Sequence, residues 1–529
     1  MHPRASCPII AFRGPLREPH CRKRLTAVES DMLSHEATTS PANRTRWDRL
    51  LPAAVLFVAL AARLMLLGSK SLWADEAYAA GLAGLPFLEA VRLFPGGTPH
   101  PGGGMAIIWL STRLFGPGES GLRALIAVIS ASASVPLFLF LKRRSGSWGA
   151  ACAALCWALC PWSVSLGQEA WIYGPMAALS IWAIHLADEA WRGSQNALLG
   201  FVAVSSTGVW VQLIFALSVG AALGLYFTIP PAERVARTKP ILAVTAIFAL
   251  SFPVLLALPA ELAERSSRLT RSGDSGLDFV RLVHRAPSIL ARFLSGGLLP
   301  ESLAEIVHVP RYLAALAAGA AVQLFALASC LTGRRVSRAD ILWLAALLFV
   351  PLLLFLVDDP TARQFPLGWL ATAIMIAIAS DGRRWFGLLS VAVCALLLSG
   401  YYGTRAFPYH RSDWRAATAQ VEEASSQGDV VILTGARSMT QAWNFYSHSD
   451  LEVVDATGGN PYLPDAAAPG KLDPVSLADS LSASGRRVWI VMDYWGGPSL
   501  VDLFPNGDLL PGVPGSVMQV MLIERTHTD

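Results

Sequence analysis

The chain has 529 residues, of which 53% are hydrophobic and only 15% are charged, and its mean hydropathy is +0.45. Soluble domains carry about 25% charged residues, so this composition excludes an ordinary soluble protein and predicts a protein embedded in a lipid bilayer. The net charge of +4 is too small to predict nucleic acid as a partner.

The chain begins with a polar stretch, residues 1–45, that is basic and contains proline. It has no apolar core long enough for a secretory signal, and we interpret it as a disordered cytoplasmic tail. Residues 46–404 hold the apolar runs and form the predicted transmembrane domain, and residues 405–529 form a third region of different character.

Apolar runs long enough to cross a bilayer fill the middle of the chain, because a membrane helix needs roughly 20 apolar residues. They lie at residues 50–68, 121–141, 148–164, 172–188, 198–227, 240–259, 311–331, 341–357, 365–380 and 385–402. Run 198–227 is long enough for two short spans, and we predict a hairpin that turns near residues 205–208. Run 105–115 is too short and is predicted to be interfacial. The fold class is therefore an α-helical polytopic membrane protein with about eleven spans.

Basic clusters predict the orientation, because Lys and Arg collect in short cytoplasmic loops. With about eleven spans, every cluster falls on one side of the membrane: residues 44–49, 142–144, 234–239, 334–338 and 383–384. The predicted location is the plasma (inner) membrane, with multiple passes and a cytoplasmic N-terminus. Residues 405–529 are then periplasmic or extracellular.

The C-terminal region alternates helix and strand patterns. We predict helices at residues 413–425 and 473–482, and strands at residues 429–434, 487–493 and 517–524. Such alternation indicates a small α/β domain outside the membrane.

Two adjacent acids, Asp75 and Glu76, follow the first apolar run. Ionisable side chains beside hydrocarbon are costly and commonly mark a functional site, and the aromatic neighbours Trp73 and Tyr78 are typical of a membrane interface. The predicted orientation places this pair on the outer face. The same orientation places further polar residues on that face: His100, Gln168, Glu169 and Arg363.

These residue types fit group transfer from a lipid phosphate. A carboxylate can remove the proton of a hydroxyl nucleophile, and an arginine or a divalent metal ion can stabilise a departing phosphate. Other interpretations of single residues stay open. Asp75 and Glu76 can cap an interfacial loop, His100 can be an ordinary turn residue, and Glu169 can be a solvated helix end.

Residues 73–78 (WADEAY) resemble the W-x-D-E-A-y signature of GT-C glycosyltransferases of the dolichyl-phosphate-mannose–protein mannosyltransferase group, which includes bacterial aminoarabinose transferase-like enzymes and related lipopolysaccharide glycosyltransferases. Further stretches are similar to motifs of that group in the same order: residues 100–102, 118–123, 166–173, 363–366, 413–415 and 428–431. From the first to the last, these stretches span some 350 residues of the chain.

The resemblance implies a polyprenyl-phosphate-linked sugar donor and an extracytoplasmic lipid, glycan or protein acceptor, with inversion at the anomeric carbon. It implies that Asp75 acts as the catalytic base or as a carboxylate that positions the acceptor, with Glu76 as its catalytic neighbour that orients the outer loop. The remaining residues would bind the donor phosphate or the acceptor: Gln168, Glu169, His100, Tyr173 and Arg363. A divalent metal ion is a possible cofactor, with Asp75 and Glu169 as its ligands.

Three positions differ from the group's pattern. Gly102 replaces a proline, Trp171 replaces an arginine, and Gln364 replaces a tyrosine. Two other functions therefore stay open, a transporter or flippase of lipid-linked sugar and a catalytically inactive member that acts as an assembly subunit. Transporters usually place ionisable residues near the bilayer midplane and show internal repeats, whereas here the acids lie at span ends.

Overall fold

The computed structural model describes residues 41–97, 100–256, 310–332, 336–349, 366–403, 412–434, 439–456, 473–493, 499–505, 507–510 and 518–523. Residues 1–51 and 52–529 are separate compact units. The first helix begins at Pro41, inside the range predicted to be a tail.

The described chain is mostly helical up to residue 403. The helices are α1 (Pro41–Leu64), α2 (Ala74–Ala83), α3 (Phe87–Gly97), α4 (Gly103–Phe115), α5 (Glu119–Ser132), α6 (Ser134–Leu159), α7 (Pro161–Gly167), α8 (Tyr173–Trp191), α9 (Gln195–Val211), α10 (Ala216–Leu225), α11 (Thr238–Leu255), α12 (Pro310–Thr332), α13 (Arg338–Phe349), α14 (Pro366–Gly382) and α15 (Arg384–Gly403). Short 3₁₀ turns, Leu213–Phe215 and Tyr226–Thr228, flank α10.

Four helical stretches in the described part are long and apolar enough to cross a bilayer: Glu119–Leu159, Thr238–Leu255, Leu313–Thr332 and Arg384–Gly403. Shorter apolar helices accompany them at Leu50–Leu64, Leu213–Thr228 and Pro366–Gly382. The predicted class, a helical membrane protein with a small C-terminal sheet region, is confirmed. The count of about eleven spans and the side of each terminus stay predictions.

Two breaks divide the long apolar runs. Gly146 has φ 68° and ψ 175°, a left-handed conformation that glycine adopts without a Cβ clash, and it divides α6 where the sequence predicts a loop. The second break lies at Gln212, with φ −160° and ψ 125°. The predicted turn near residues 205–208 is therefore wrong, because these residues continue α9 and the chain leaves the helix four residues later.

The C-terminal region forms a five-stranded sheet in the order β2-β1-β3-β5-β4. Its strands are β1 (Val430–Thr434), β2 (Glu452–Asp455), β3 (Val488–Asp493), β4 (Asp508–Leu509) and β5 (Met518–Ile523). The first three strands are parallel, with Val431 opposite Val453 and Trp489, while β5 runs antiparallel to β3. Because β1 and β3 are buried along almost their whole length, they are continuous apolar runs, as expected for parallel strands covered on both faces.

Four helices accompany the sheet: α16 (Trp414–Ala424), α17 (Met439–Tyr446), α18 (Pro474–Ala483) and α19 (Leu500–Leu503). Helix α17 packs against α2, the helix that carries the acid pair. One hydrophobic cluster joins the two regions and contains Tyr78 of α2 together with Trp443 of α17 and Trp489 of β3. The C-terminal region therefore lies directly on the element that positions Asp75 and Glu76.

Candidate active site

The acid pair occupies the first turn of α2, after an irregular stretch that follows α1. Trp73 precedes the helix in an extended conformation, with φ −96° and ψ 173°. Carboxylates are favoured at a helix N-terminus because unpaired backbone N–H groups and the helix dipole meet negative charge there. The two acids differ in exposure, since Asp75 is half-buried and Glu76 is fully buried.

Glu76 forms a two-point ion pair with Arg123 of α5. Its Oε2 lies 2.6 Å from Nη2 and its Oε1 lies 2.8 Å from Nε, and both side chains are almost completely buried. The backbone N–H of Ala170 also donates to Oε1, at 2.6 Å. A buried pair of charges is stable only when such additional hydrogen bonds satisfy it. The Glu76 carboxylate is thus committed to holding α5 and the 168–170 stretch.

Arg123 uses its remaining N–H groups on the irregular stretch between α1 and α2. It donates to the carbonyl oxygens of Leu67 at 3.0 Å, Lys70 at 2.8 Å and Ser71 at 3.1 Å. Buried carbonyl groups outside regular structure need such partners. Leu66 stands in the same stretch with φ 55°, a costly left-handed conformation for a non-glycine residue. Arg123 therefore fixes both Glu76 and the chain that leads to Asp75.

Gln168 lies beside the same stretch and is buried. Its Nε2 is within hydrogen-bonding distance of the carbonyls of Arg63, at 3.1 Å, and Met65, at 2.8 Å, and of the Tyr402 hydroxyl, at 3.0 Å. Its Oε1 accepts from the Tyr401 hydroxyl at 3.0 Å. These contacts give Gln168 a structural role between α1 and α15. Its predicted role in ligand binding has no separate support from these contacts.

Glu169, next to Gln168, is 2% exposed. The hydrogen bond from Ala170 to Glu76 brings this stretch to the acid pair, as the sequence predicts. Arg363 lies outside the described residues. Its predicted contact with a donor phosphate stays a prediction.

The rings of His100 and Tyr173 contact each other edge to face. The His100 ring centroid lies 6.2 Å from that of Tyr173, and the imidazole is 6% exposed. Gln212 Nε2 lies 3.0 Å from His100 Nδ1. An amide nitrogen can only donate, so Nδ1 accepts and the proton of the neutral ring is on Nε2. Gln212 is thus the partner of His100 at the break after α9.

Two cations near the site were not singled out from the sequence. Arg63 is fully buried in α1, and within the described residues its hydrogen-bond partners are all neutral: Ser130 Oγ, Ser163 Oγ and the carbonyls of Ala59 and Ala158. Lys70 is half-buried, and its Nζ lies 2.7 Å from the Tyr401 hydroxyl. The signal for both was a charge within or just after the first apolar run.

Residues 99–256 match the family model of the dolichyl-phosphate-mannose-protein mannosyltransferases. This stretch includes the three motif segments around His100, Glu119 and Glu169. Over these residues the predicted resemblance to the mannosyltransferase group is confirmed. No curated protein matches the chain.

Several solved structures are similar to the chain. ArnT from Cupriavidus metallidurans, bound to undecaprenyl phosphate, has a TM-score of 0.42 at 14% identity, over 90% of this chain and 98% of its own. An oligosaccharyltransferase of Archaeoglobus fulgidus, tethered with an acceptor peptide, has a TM-score of 0.48 at 12% identity, over 84% and 69%. The mycobacterial arabinofuranosyltransferase AftD has a TM-score of 0.40 at 16% identity, over 91% and 42%.

Two of the three departures from the resembled motifs, Gly102 and Trp171, lie among the described residues, whereas Gln364 lies outside them. Trp171, which replaces an arginine, is 2% exposed and packs among rings, 5.4 Å from Phe94, 5.8 Å from His100 and 6.4 Å from Trp73 between centroids. This position contributes apolar packing instead of positive charge. At Gly102, a Cβ would come within 2.4 Å of the Val91 carbonyl oxygen, so the missing side chain lets α3 and α4 approach closely.

The described part of the chain contains no set of ligands for the predicted metal ion. No three His, Cys, Asp or Glu side chains converge there in a way that would hold an ion. Asp75 and Glu169 alone do not make the oxygen-rich set that divalent cations prefer.

Proposed function

We propose that this protein is a membrane glycosyltransferase that moves a sugar from a polyprenyl-phosphate donor to an acceptor hydroxyl on the outer side of the membrane. The observation that carries the proposal is that the two adjacent acids differ in burial and in pairing. Glu76 is buried and committed to Arg123, while Asp75 is half-buried on the same helical turn. The match to the mannosyltransferase family over residues 99–256 supports the class of donor.

In the proposed reaction Asp75 acts as general base. It takes the proton of the acceptor hydroxyl while that oxygen forms a bond to the anomeric carbon of the sugar. The bond between this carbon and the phosphate oxygen breaks, and its electron pair leaves on the polyprenyl phosphate. A single displacement of this kind inverts the anomeric centre. A positioned base typically contributes 10²–10⁴ to the rate.

The leaving phosphate needs positive charge or hydrogen-bond donors on the opposite side of the sugar. Lys70 supplies a half-buried cation on the stretch that leads to Asp75. His100 contributes the N–H at Nε2 when its Nδ1 accepts from Gln212. Arg363 is the further cation that the family resemblance implies. We assign Glu169 and Tyr173 to binding of the acceptor.

The proposed setting is the plasma membrane, with the C-terminal region on the outer side and the acceptor a lipid, glycan or protein of the cell envelope. The proposed orientation rests on the basic clusters, because with the predicted eleven spans all of them fall on the opposite side from the acid pair.

A transfer assay tests the proposal. Membranes containing the full-length protein receive polyprenyl-phosphate sugars radiolabelled in the sugar, mannose first, and loss of label from the donor is followed. Asp75→Asn is expected to slow this loss by at least about a hundredfold, because it removes the base. Glu89→Gln, a change of an exposed acid on α3, is the matched control and is expected to keep the wild-type rate.

Full transfer by Asp75→Asn at normal expression would show that Asp75 is not the base. If no donor is consumed by the wild type while a solute crosses proteoliposomes that contain it, the protein is a transporter and the proposal fails.

A further inference from the structure

Glu119, at the first position of α5, connects the C-terminal region to the candidate active site. Its Oε2 accepts a hydrogen bond from Arg415 Nη2, and its Oε1 accepts one from the Tyr446 hydroxyl. Arg415 belongs to α16 and Tyr446 to α17. The Glu119 side chain is 12% exposed and that of Arg415 is 46% exposed, so the bond from Tyr446 is the one that water reaches least. Charge-assisted bonds in such surroundings are the stronger ones.

The same two partners hold the stretch that leads to Asp75. Arg415 Nη2 donates to the carbonyl of Gly68 at 3.1 Å, and its backbone N–H donates to Ser71 Oγ at 3.3 Å. The backbone N–H of Leu72 donates to the Tyr446 hydroxyl at 2.7 Å. Residues 67–73 therefore form hydrogen bonds with Arg123 of the membrane region and with Arg415 and Tyr446 of the C-terminal region.

One turn of α5 carries the residues that connect these two sets of hydrogen bonds. Glu119 and Arg123 are four residues apart, so they lie on the same face of the helix, one turn from each other. Glu119 faces the C-terminal region, and Arg123 meets Glu76 and the carbonyls of the irregular stretch. A displacement of the C-terminal region would thus pull on the chain just before Asp75.

The protonation of Arg415 and Tyr446 is consistent with these hydrogen bonds. The hydrogen bond to Glu119 raises the pKa of Arg415 above its ordinary value, although partial burial opposes the shift. Burial raises the pKa of Tyr446, and the bond to Glu119 adds to this effect. The Tyr446 hydroxyl therefore keeps its proton and can donate to Glu119 while it accepts from Leu72.

We propose that Glu119 is a positioning residue: it fastens the C-terminal region to residues 67–73 and so fixes the orientation of Asp75. The effect on catalysis rests on the proposed function, whereas the fastening itself does not. Transfer then depends on an intact contact with the C-terminal region. A change in that region that loosens the contact lowers the rate of the chemical step.

Hydrogen–deuterium exchange on the full-length protein in lipid nanodiscs tests the fastening. In Glu119→Gln and Tyr446→Phe, backbone amides in residues 67–73 are expected to exchange about tenfold faster, because each loses a charge-assisted bond. Tyr446→Phe removes a single oxygen and guards against misfolding in the first variant. Asp502→Asn, which changes an exposed acid that caps α19, is the control and is expected to leave exchange at 67–73 unchanged.

Transfer kinetics separate positioning from mere stability. In Glu119→Gln and Tyr446→Phe, kcat is expected to fall about tenfold with the KM for donor within twofold, since neither side chain is assigned to donor binding. Arg415→Lys, which keeps the charge, is expected to lose less than either.

Unchanged exchange at residues 67–73 in both variants would overturn the proposal. So would faster exchange with unaltered kcat in a protein that transfers sugar. If the wild type transfers nothing, the proposed function fails, and the exchange result still decides the fastening.

Discussion

Two buried carboxylates of the membrane region, Glu76 and Asp188, are both fully buried and both paired with arginine, yet their surroundings differ. Glu76 meets one arginine whose side chain is 1% exposed. Asp188 meets three arginines at 3.1–3.5 Å, and their side chains are 17–41% exposed: Arg143, Arg144 and Arg192.

The difference shows what each cluster is for. The other N–H groups of Arg123 donate to backbone carbonyls of the irregular stretch between α1 and α2. The Glu76 cluster therefore fixes the conformation of this stretch. The arginines around Asp188 come from α6, just before its break at Gly146, and from the C-terminal end of α8, so that cluster joins these two helices. Only the first cluster touches the chain that leads to Asp75. Substitutions in the two clusters should therefore differ in both stability and activity.

The largest effect is expected from Arg123→Met. The change leaves the Glu76 carboxylate buried without its cation and also frees three carbonyl groups. Removing one partner of a buried pair typically costs about 3–5 kcal/mol. Thermal unfolding of the protein in detergent should show this loss, and donor consumption should fall to background even below the unfolding temperature.

Arg113→Met is the matched control, because Arg113 is an exposed arginine on the neighbouring helix α4. It is expected to change stability by less than about 0.5 kcal/mol. Equal losses in the two variants would mean that the Glu76–Arg123 pair contributes nothing specific.

The importance of Arg123 illustrates where sequence reasoning stops. An acid pair at a span end predicts a site, and an arginine just inside the next apolar run needs a partner. Nothing in the sequence says that the two meet, because they are 47 residues apart and their pairing depends on how α2 and α5 pack. The same holds for Gln212 and His100, which are 112 residues apart.

Local signals performed better in the C-terminal region. The helix predicted at residues 413–425 is observed at Trp414–Ala424, and the strand predicted at 487–493 is observed at Val488–Asp493. Asp413 caps its helix by accepting from the Ala416 N–H at 3.2 Å, a contact within one turn that sequence can reveal. Strand β2 was missed, because its four residues are only half-buried or exposed and carry no clear alternation.

A smaller effect is expected from Asp188→Asn. The three arginines lose their shared anion, but their partly exposed side chains can regain water, and the amide keeps some hydrogen bonds. We expect a loss of about 1–2 kcal/mol in thermal unfolding, below that of Arg123→Met. Donor consumption should stay within twofold of wild type, since the cluster does not touch residues 67–76. A loss of activity as large as that of Arg123→Met would show that the two clusters are coupled through the helices.

The smallest effect is expected from Arg143→Ala. This side chain is 41% exposed and lies 3.1 Å from Asp188 and 2.5 Å from Glu189. The pair with Glu189, whose side chain is 29% exposed, is open to solvent. Exposed ion pairs contribute about 0.2–1 kcal/mol and are screened by salt, because the Debye length falls to about 3 Å at 1 M. The melting temperature should therefore drop slightly at low salt, and the difference from wild type should vanish at high salt.

Arg384→Ala provides the control for this measurement, because Arg384 is an exposed arginine that makes no ion pair within the described part of the chain. It should show no salt-dependent difference from wild type. A loss in Arg143→Ala that persists at high salt would mean that water does not reach this pair. Arg143 would then resemble Arg123 energetically, and the contrast between a solvent-screened cluster and a buried one would not hold.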